Sequence, residues 1–137
     1  VSNPIHVSAV VLRDLEGRVL MVRKRGTAMW MNPGGKPEAG EDGARCGARE
    51  VAEELGLSLD PARLVFLGEQ RAAAANEAGR TVVSQTYAWP DPVAVDVRPA
   101  AEIDAVRWVG PGDLGDPSLA PLFVQAIVPL LDDHWLG

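Results

Sequence analysis

Residues 34–57, GGKPEAGEDGARCGAREVAEELGL, constrain this chain more than any other stretch. Two glycines, a lysine and a proline lead into a segment whose spacing predicts a helix over residues 41–55. Gly56 follows as a left-handed C-cap, while Gly43 and Gly47 each cost that helix about 1 kcal/mol against alanine. At about 100° per residue, Glu50, Glu53 and Glu54 fall on one face, within roughly 100° of arc. Like charges at these spacings destabilise a helix by about a few tenths of a kcal/mol per pair. The acids also lie toward the C-terminal end, where the macrodipole disfavours anions. A solvated face salt-bridged to Arg45 or Arg49 would tolerate them. A divalent cation would explain them, because Mg²⁺ takes carboxylate oxygens together with waters and substrate phosphates.

The surroundings favour the cation. Ala44, Ala48, Val51 and Leu55 form an apolar stripe opposite the acids, so the helix packs with its carboxylates toward a cleft or solvent. Upstream, the Gly34-Gly35-Lys36 loop offers free backbone amides and an ammonium, the groups that hold phosphate. Joined to an acidic face, it points to phosphate ester chemistry.

The rest of the chain reads as one α/β domain over residues 1–137, with a mixed sheet between helices in an α/β/α sandwich. Ile5 to Leu12 is apolar and β-branched, and Arg18 to Arg23 reads as its hairpin partner across Asp14-Leu15-Glu16-Gly17. Strands are expected at 63–70, 80–89 and 105–109, with the alanine-rich 72–79 stretch as a connection. Pro90 to Pro99 reads as a loop and Leu119 to Leu131 as a closing helix. A net charge of −6 argues against a nucleic-acid polymer or an anionic membrane as partner. The apolar runs fall short of the roughly 20 residues a membrane span needs. The single cysteine, Cys46, permits no intrachain disulfide or cysteine-based zinc site and reads as packing beneath the helix. The opening VSNPIHVSAVVL does not read as a signal peptide, which leaves a cytoplasmic protein as the expectation. His6 and His134 read as non-catalytic, and Trp135 as a packing anchor.

Gly35, Glu41 and the run Arg49-Glu50-Val51-Ala52-Glu53-Glu54-Leu55-Gly56-Leu57 fill every specified position of G-x5-E-x7-R-E-U-x-E-E-x-G-U. The chain therefore resembles the Nudix hydrolases, specifically over 34–57 and more loosely through Trp30 to Pro33 and Trp108-Val109. The resemblance implies hydrolysis of a nucleoside diphosphate linked to another moiety, using Mg²⁺ or Mn²⁺. It implies Glu50, Glu53 and Glu54 as metal ligands, with the Gly35 carbonyl and Glu102 as further candidates. Glu53 is the first choice for activating water, with Glu50 beside it as a catalytic acid. It also implies a structural salt bridge between Glu41 and Arg49. Arg23 and Lys36 match positions that hold phosphates, whereas Lys24 and Arg25 read as solvated. Trp30 and Asn32 are candidates for stacking on and hydrogen-bonding a base, although many relatives carry Leu or Phe where this chain has Asn32. Weak signatures downstream of the box do not match ADP-ribose, diadenosine polyphosphate or NADH hydrolases. A nucleoside triphosphate, cleaved in the MutT-like manner to the monophosphate and pyrophosphate, is the leading expectation. An ADP-ribose or other nucleotide-sugar pyrophosphatase, or a non-catalytic nucleotide-sensing module, are the alternatives. Many relatives dimerise, and no stretch here identifies an interface.

Overall fold

The computed structural model describes residues 3–94 and 97–131; His134 and Trp135 lie outside the described residues. Six strands and one regular α-helix organise them: β1 (Ile5–Val11), β2 (Val19–Lys24), β3 (Gly34–Gly35), α1 (Gly43–Leu55), β4 (Val65–Ala73), β5 (Thr81–Ala88) and β6 (Ile103–Val109). A four-stranded mixed sheet runs β3-β1-β5-β4, with β1 parallel to β5 and the other pairs antiparallel. β2 and β6 form a separate antiparallel pair. The α/β character expected of the chain is what is observed.

The expected β1–β2 hairpin is not. The turn does form: the Asp14 carboxylate accepts the amides of Glu16 and Arg18, each at 2.9 Å. Leu20 N–H still reaches the Leu12 carbonyl at 2.9 Å. Beyond that point the strands part into different sheets, and β2 takes β6 as its partner, with Val19 opposite Val109 and Arg23 opposite Ala105. Both strands carry apolar side chains on both faces, so each needs cover on two sides.

That need divides the core. One cluster gathers Val11, Val19, Met21, Val109, Phe123 and Ile127. The other gathers Val10, Leu12, Leu20, Val22, Val51 and Leu55 under α1. Alternation along β1 and β2 thus sends odd and even residues to opposite layers. The expected closing helix is also corrected. Leu122–Ile127 is a wide, π-helical turn and Val128–Leu130 a 3₁₀ turn. Pro129 explains the break, because it lacks the N–H a regular helix needs and its ring clashes with the preceding turn. No helix among the described residues is long and apolar enough to cross a membrane.

α1 is set by its ends and its glycines. The Asp42 side chain accepts the Arg45 amide at 2.8 Å, and Gly56 closes the helix at φ 70°. A side chain at Gly43 would overlap the Tyr87 hydroxyl, and a Cβ at Gly47 would lie 2.8 Å from Val10. The two glycines weaken the helix locally but let it lie close on β1 and β5. Cys46 is fully buried there, and burial pushes its thiol pKa up.

Candidate active site

The site begins at β3, which joins β1 by pairing Gly34 with Ala9 and Gly35 with Ser8. Gly34 has φ 152°, and a Cβ there would overlap the Ser8 carbonyl oxygen. Gly34→Ala is therefore expected to cost about 2–4 kcal/mol in urea denaturation. Gly40→Ala is the control: its φ of 76° is also positive, but open space surrounds it, so its cost should be nearer 1 kcal/mol. Equal losses at both positions would contradict the close approach. A Cβ on Gly35 would lie 2.5 Å from the Glu50 carboxyl carbon. The missing side chain is the space that the carboxylate occupies.

α1 then delivers three acids into three different environments. Glu54 is buried, 2% exposed, and accepts the Gly34 N–H at 3.2 Å. Burial pushes its pKa up to about 8; the Gly34 N–H and Lys24 pull it down, while Glu50, within hydrogen-bond reach, pushes it up. Glu50 is mostly covered, and its Oε1 accepts Arg49 Nη1 at 3.0 Å. Glu53 points outward, its side chain 52% exposed, with Oε1 3.3 Å from the same Nη1.

Arg49 is the hub. Its Nε donates to Glu41 Oε2 at 2.7 Å and its Nη2 to Glu41 Oε1 at 2.9 Å, a two-point fork. Nη2 also donates to the Lys36 carbonyl at 3.1 Å, which ties the glycine loop to the helix. Arg49 and the Glu38 amide hold the Glu41 pKa down to about 2. A carboxyl depressed in the folded state contributes stability that is present above its unfolded value near 4.5 and lost as pH falls toward 2. Thermal melts of wild type and Glu41→Gln should therefore differ most above pH 4.5 and converge in acid. A gap that widens below pH 4 would contradict the pairing.

A second wall faces these acids. Lys24 Nζ lies 3.7 Å from Glu102 Oε1. Glu102 sits on a turn whose preceding residue, Ala101, has φ 55°. Ala100 N–H holds that turn to the Glu54 carbonyl at 2.8 Å, and the Glu102 carbonyl accepts Arg25 N–H at 2.8 Å. Lys24, Lys36, Glu50 and Glu102 all line one cavity of about 560 Å³. Its remaining walls are mainly apolar, from Ile5, Val7 and Val82 on the sheet, Met31 and Asn32 before the glycines, and residues 73–77.

Two expected substrate contacts lie elsewhere. Arg23 does not line the cavity; it pairs with Asp104 at 3.3 Å and stacks 4.9 Å from the Trp30 ring centroid. Trp30 is likewise absent from the lining, and Arg107 stands 5.8 Å from the same ring. Strand parity is the reason. Arg23 follows Val19 and Met21 into the layer away from α1, while Lys24 follows Leu20 and Val22 toward it. The cation facing the acidic helix is Lys24, which sequence reading assigned to solvent although the alternation was available to show otherwise. Residues 73–77 were read only as a connection, and carry no chemical signature that marks them as cavity wall.

Among the described residues no three acidic, His or Cys side chains converge as a ready cage. Glu50 and Glu54 do meet: burial first, and then the neighbouring Glu50, raise the Glu54 pKa. Two acidic side chains next to a cavity that Lys24 and Lys36 line match what Mg²⁺ takes from a protein, and the residues present fit it.

Comparison with known proteins shows the family. The chain is 38% identical over 109 residues to an octanoyltransferase from Myxococcus xanthus, covering 77% of this chain but only 30% of that protein. It is 28% identical to a MutT-like protein from Streptomyces ambofaciens, across 96% of this chain and 80% of the relative. The crystal structure of a MutT protein from Methanosarcina mazei Go1 superposes with a TM-score of 0.77 at 22% identity, over 95% of each chain. A family model described as NUDIX domain matches residues 3–131, and the chain belongs to that family.

Proposed function

We propose that this Nudix pyrophosphohydrolase cleaves a nucleoside triphosphate with water to the nucleoside monophosphate and pyrophosphate. The carrying observation is that one cavity joins apolar walls to Lys24, Lys36, Glu50 and Glu102 at the glycine loop. The name of the MutT-like relative, aligned over 96% of the chain, leans the same way.

Nudix hydrolases work with divalent metal ions. Here Glu50 and Glu54 would hold the ion, with the Gly35 carbonyl, Glu102 and a reoriented Glu53 as further oxygen donors. Bound there, it would neutralise phosphate charge. Lys36 and Lys24 bind phosphate oxygens from the chain's side, and Lys24 takes the role expected of Arg23. Glu53 is the base: it accepts a proton from the attacking water as the new O–P bond forms and the bridging P–O bond breaks. Pyrophosphate leaves with the bridging oxygen. Arg49 positions Glu53 and Glu50 without touching substrate.

Anion-exchange chromatography of nucleoside triphosphate digests tests the reading. Monophosphate plus pyrophosphate, formed in Mg²⁺ and stopped by EDTA, is the expected result. Diphosphate plus orthophosphate, or turnover indifferent to EDTA, would overturn it.

A further inference from the structure

β4 closes one edge of the four-stranded sheet and pairs with β5 alone. Among the described residues, no backbone hydrogen bond ties it to any other element. Its nine residues therefore present N–H and C=O groups that a further strand can meet. Proteins commonly blunt such an edge by keeping the strand very short or by placing proline or lysine on it. β4 is long and has neither residue. A bulge interrupts it only near its start, between Phe66 and Gly68. Beside that bulge Val65 and Phe66 are 51% and 55% exposed.

The charges on the strand say what fits it. Glu69 and Arg71 stand two apart, so both point to one face of the sheet. Gln85 Nε2 holds Glu69 Oε1 at 2.8 Å, while Arg71 Nη2 reaches Glu69 Oε2 only at 3.9 Å. A two-fold axis normal to the sheet would lay the β4 of a second copy antiparallel along the first. Centred on Gln70, that pairing sets Glu69 of each copy opposite Arg71 of the other, the arrangement that stabilises cross-strand neighbours. Centred on Glu69 or on Arg71 instead, it sets like charges face to face, which destabilises. The ends match as well. Val65 and Phe66 of one copy run alongside residues 73–75 of the other, all alanine. Those alanines also wall the cavity, so the second copy would lie against the outside of that wall.

We propose that two copies of this chain pair through β4, antiparallel and centred on Gln70, so that one continuous sheet crosses the dimer.

Sedimentation velocity from ~1 to ~200 µM protein tests this. Wild type should move from 14.6 kDa toward twice that mass as concentration rises. Glu69→Arg and Arg71→Glu each turn both cross-strand attractions into repulsions, and each should weaken dimerisation at least ~10-fold. An equimolar mixture of the two variants sets opposite charges against each other at both crossings again. It should recover the wild-type dimer, which a folding defect in either variant could not do. Amide exchange across residues 65–73 of wild type should slow at the concentrations where the dimer forms. A wild type that stays monomeric throughout overturns the proposal. So does a dimer that both variants leave intact, which would use another surface, and so does a mixture that associates no better than its parts.

Discussion

Glu54→Gln is expected to stabilise the metal-free protein at pH 8.5 while abolishing its Mg²⁺-dependent turnover. The folded pKa of Glu54 stands at about 8, raised first by burial, against an ordinary value of 4.5. Below pH 4.5 the group is protonated whether the chain is folded or not, and costs nothing. As pH rises past 4.5 the unfolded chain releases the proton and the folded chain keeps it, so stability falls until pH reaches about 8. The full loss is on the order of 5 kcal/mol. Glutamine keeps the oxygen that accepts the Gly34 N–H, and its amide can donate to Glu50 as the protonated acid does. Urea denaturation in EDTA should therefore show wild type weaker at pH 8.5 than at pH 5, and the variant nearly level between them. Saturating Mg²⁺ should restore wild type at pH 8.5, since a ligand bound only by the folded state adds stability, and should do little for the variant. A variant less stable than wild type at pH 8.5 without metal would contradict the raised pKa of buried Glu54.

Arg49→Lys tests the hub. The substitution keeps the charge but loses the planar fork, and Arg49 donates to Glu41, Glu50, Glu53 and the Lys36 carbonyl at once. A lysine ammonium has three donors on a flexible stem and cannot reproduce that set. The variant should lose about 2–3 kcal/mol of stability, since one ammonium cannot pair with the mostly covered Glu41 and Glu50 together as the fork does. Its kcat should fall by about 100-fold as Glu50 and Glu53 lose their orientation, with KM for the nucleotide little changed if Arg49 acts, as proposed, only through those acids. Steady-state kinetics at saturating Mg²⁺, paired with denaturation curves, separate the two effects. A change in KM alone, with kcat intact, would show Arg49 to be a substrate contact instead.

What the sequence revealed and what it concealed divide along physical lines. α1 was legible because its determinants are local: an Asx cap, a glycine C-cap and an apolar stripe lie within the segment. The division of β1 and β2 between two sheets was hidden, because Asp14 to Arg18 encodes a true turn whatever the strands do afterwards, and the partner of β2 lies some eighty residues on. Pro129 gave the means to doubt a regular closing helix. At the site, Lys36, Glu50, Glu102 and Asn32 line one cavity. Arg23 and Trp30 do not, since strand parity and a long-range partner, Arg107, hold them in another layer. The parity was readable from Val19 to Lys24; the capture by Arg107 was not.

The most direct test of the account is Mg²⁺-dependent turnover of nucleoside triphosphates by wild type beside Glu53→Gln, with monophosphate and pyrophosphate quantified from both. Glu53 is half-exposed and outside the core, so the variant should fold as wild type does. The account predicts a loss of at least ~1000-fold in kcat for the variant. Equal turnover by the two proteins would contradict it, and so would a wild type that binds Mg²⁺ and hydrolyses none of them.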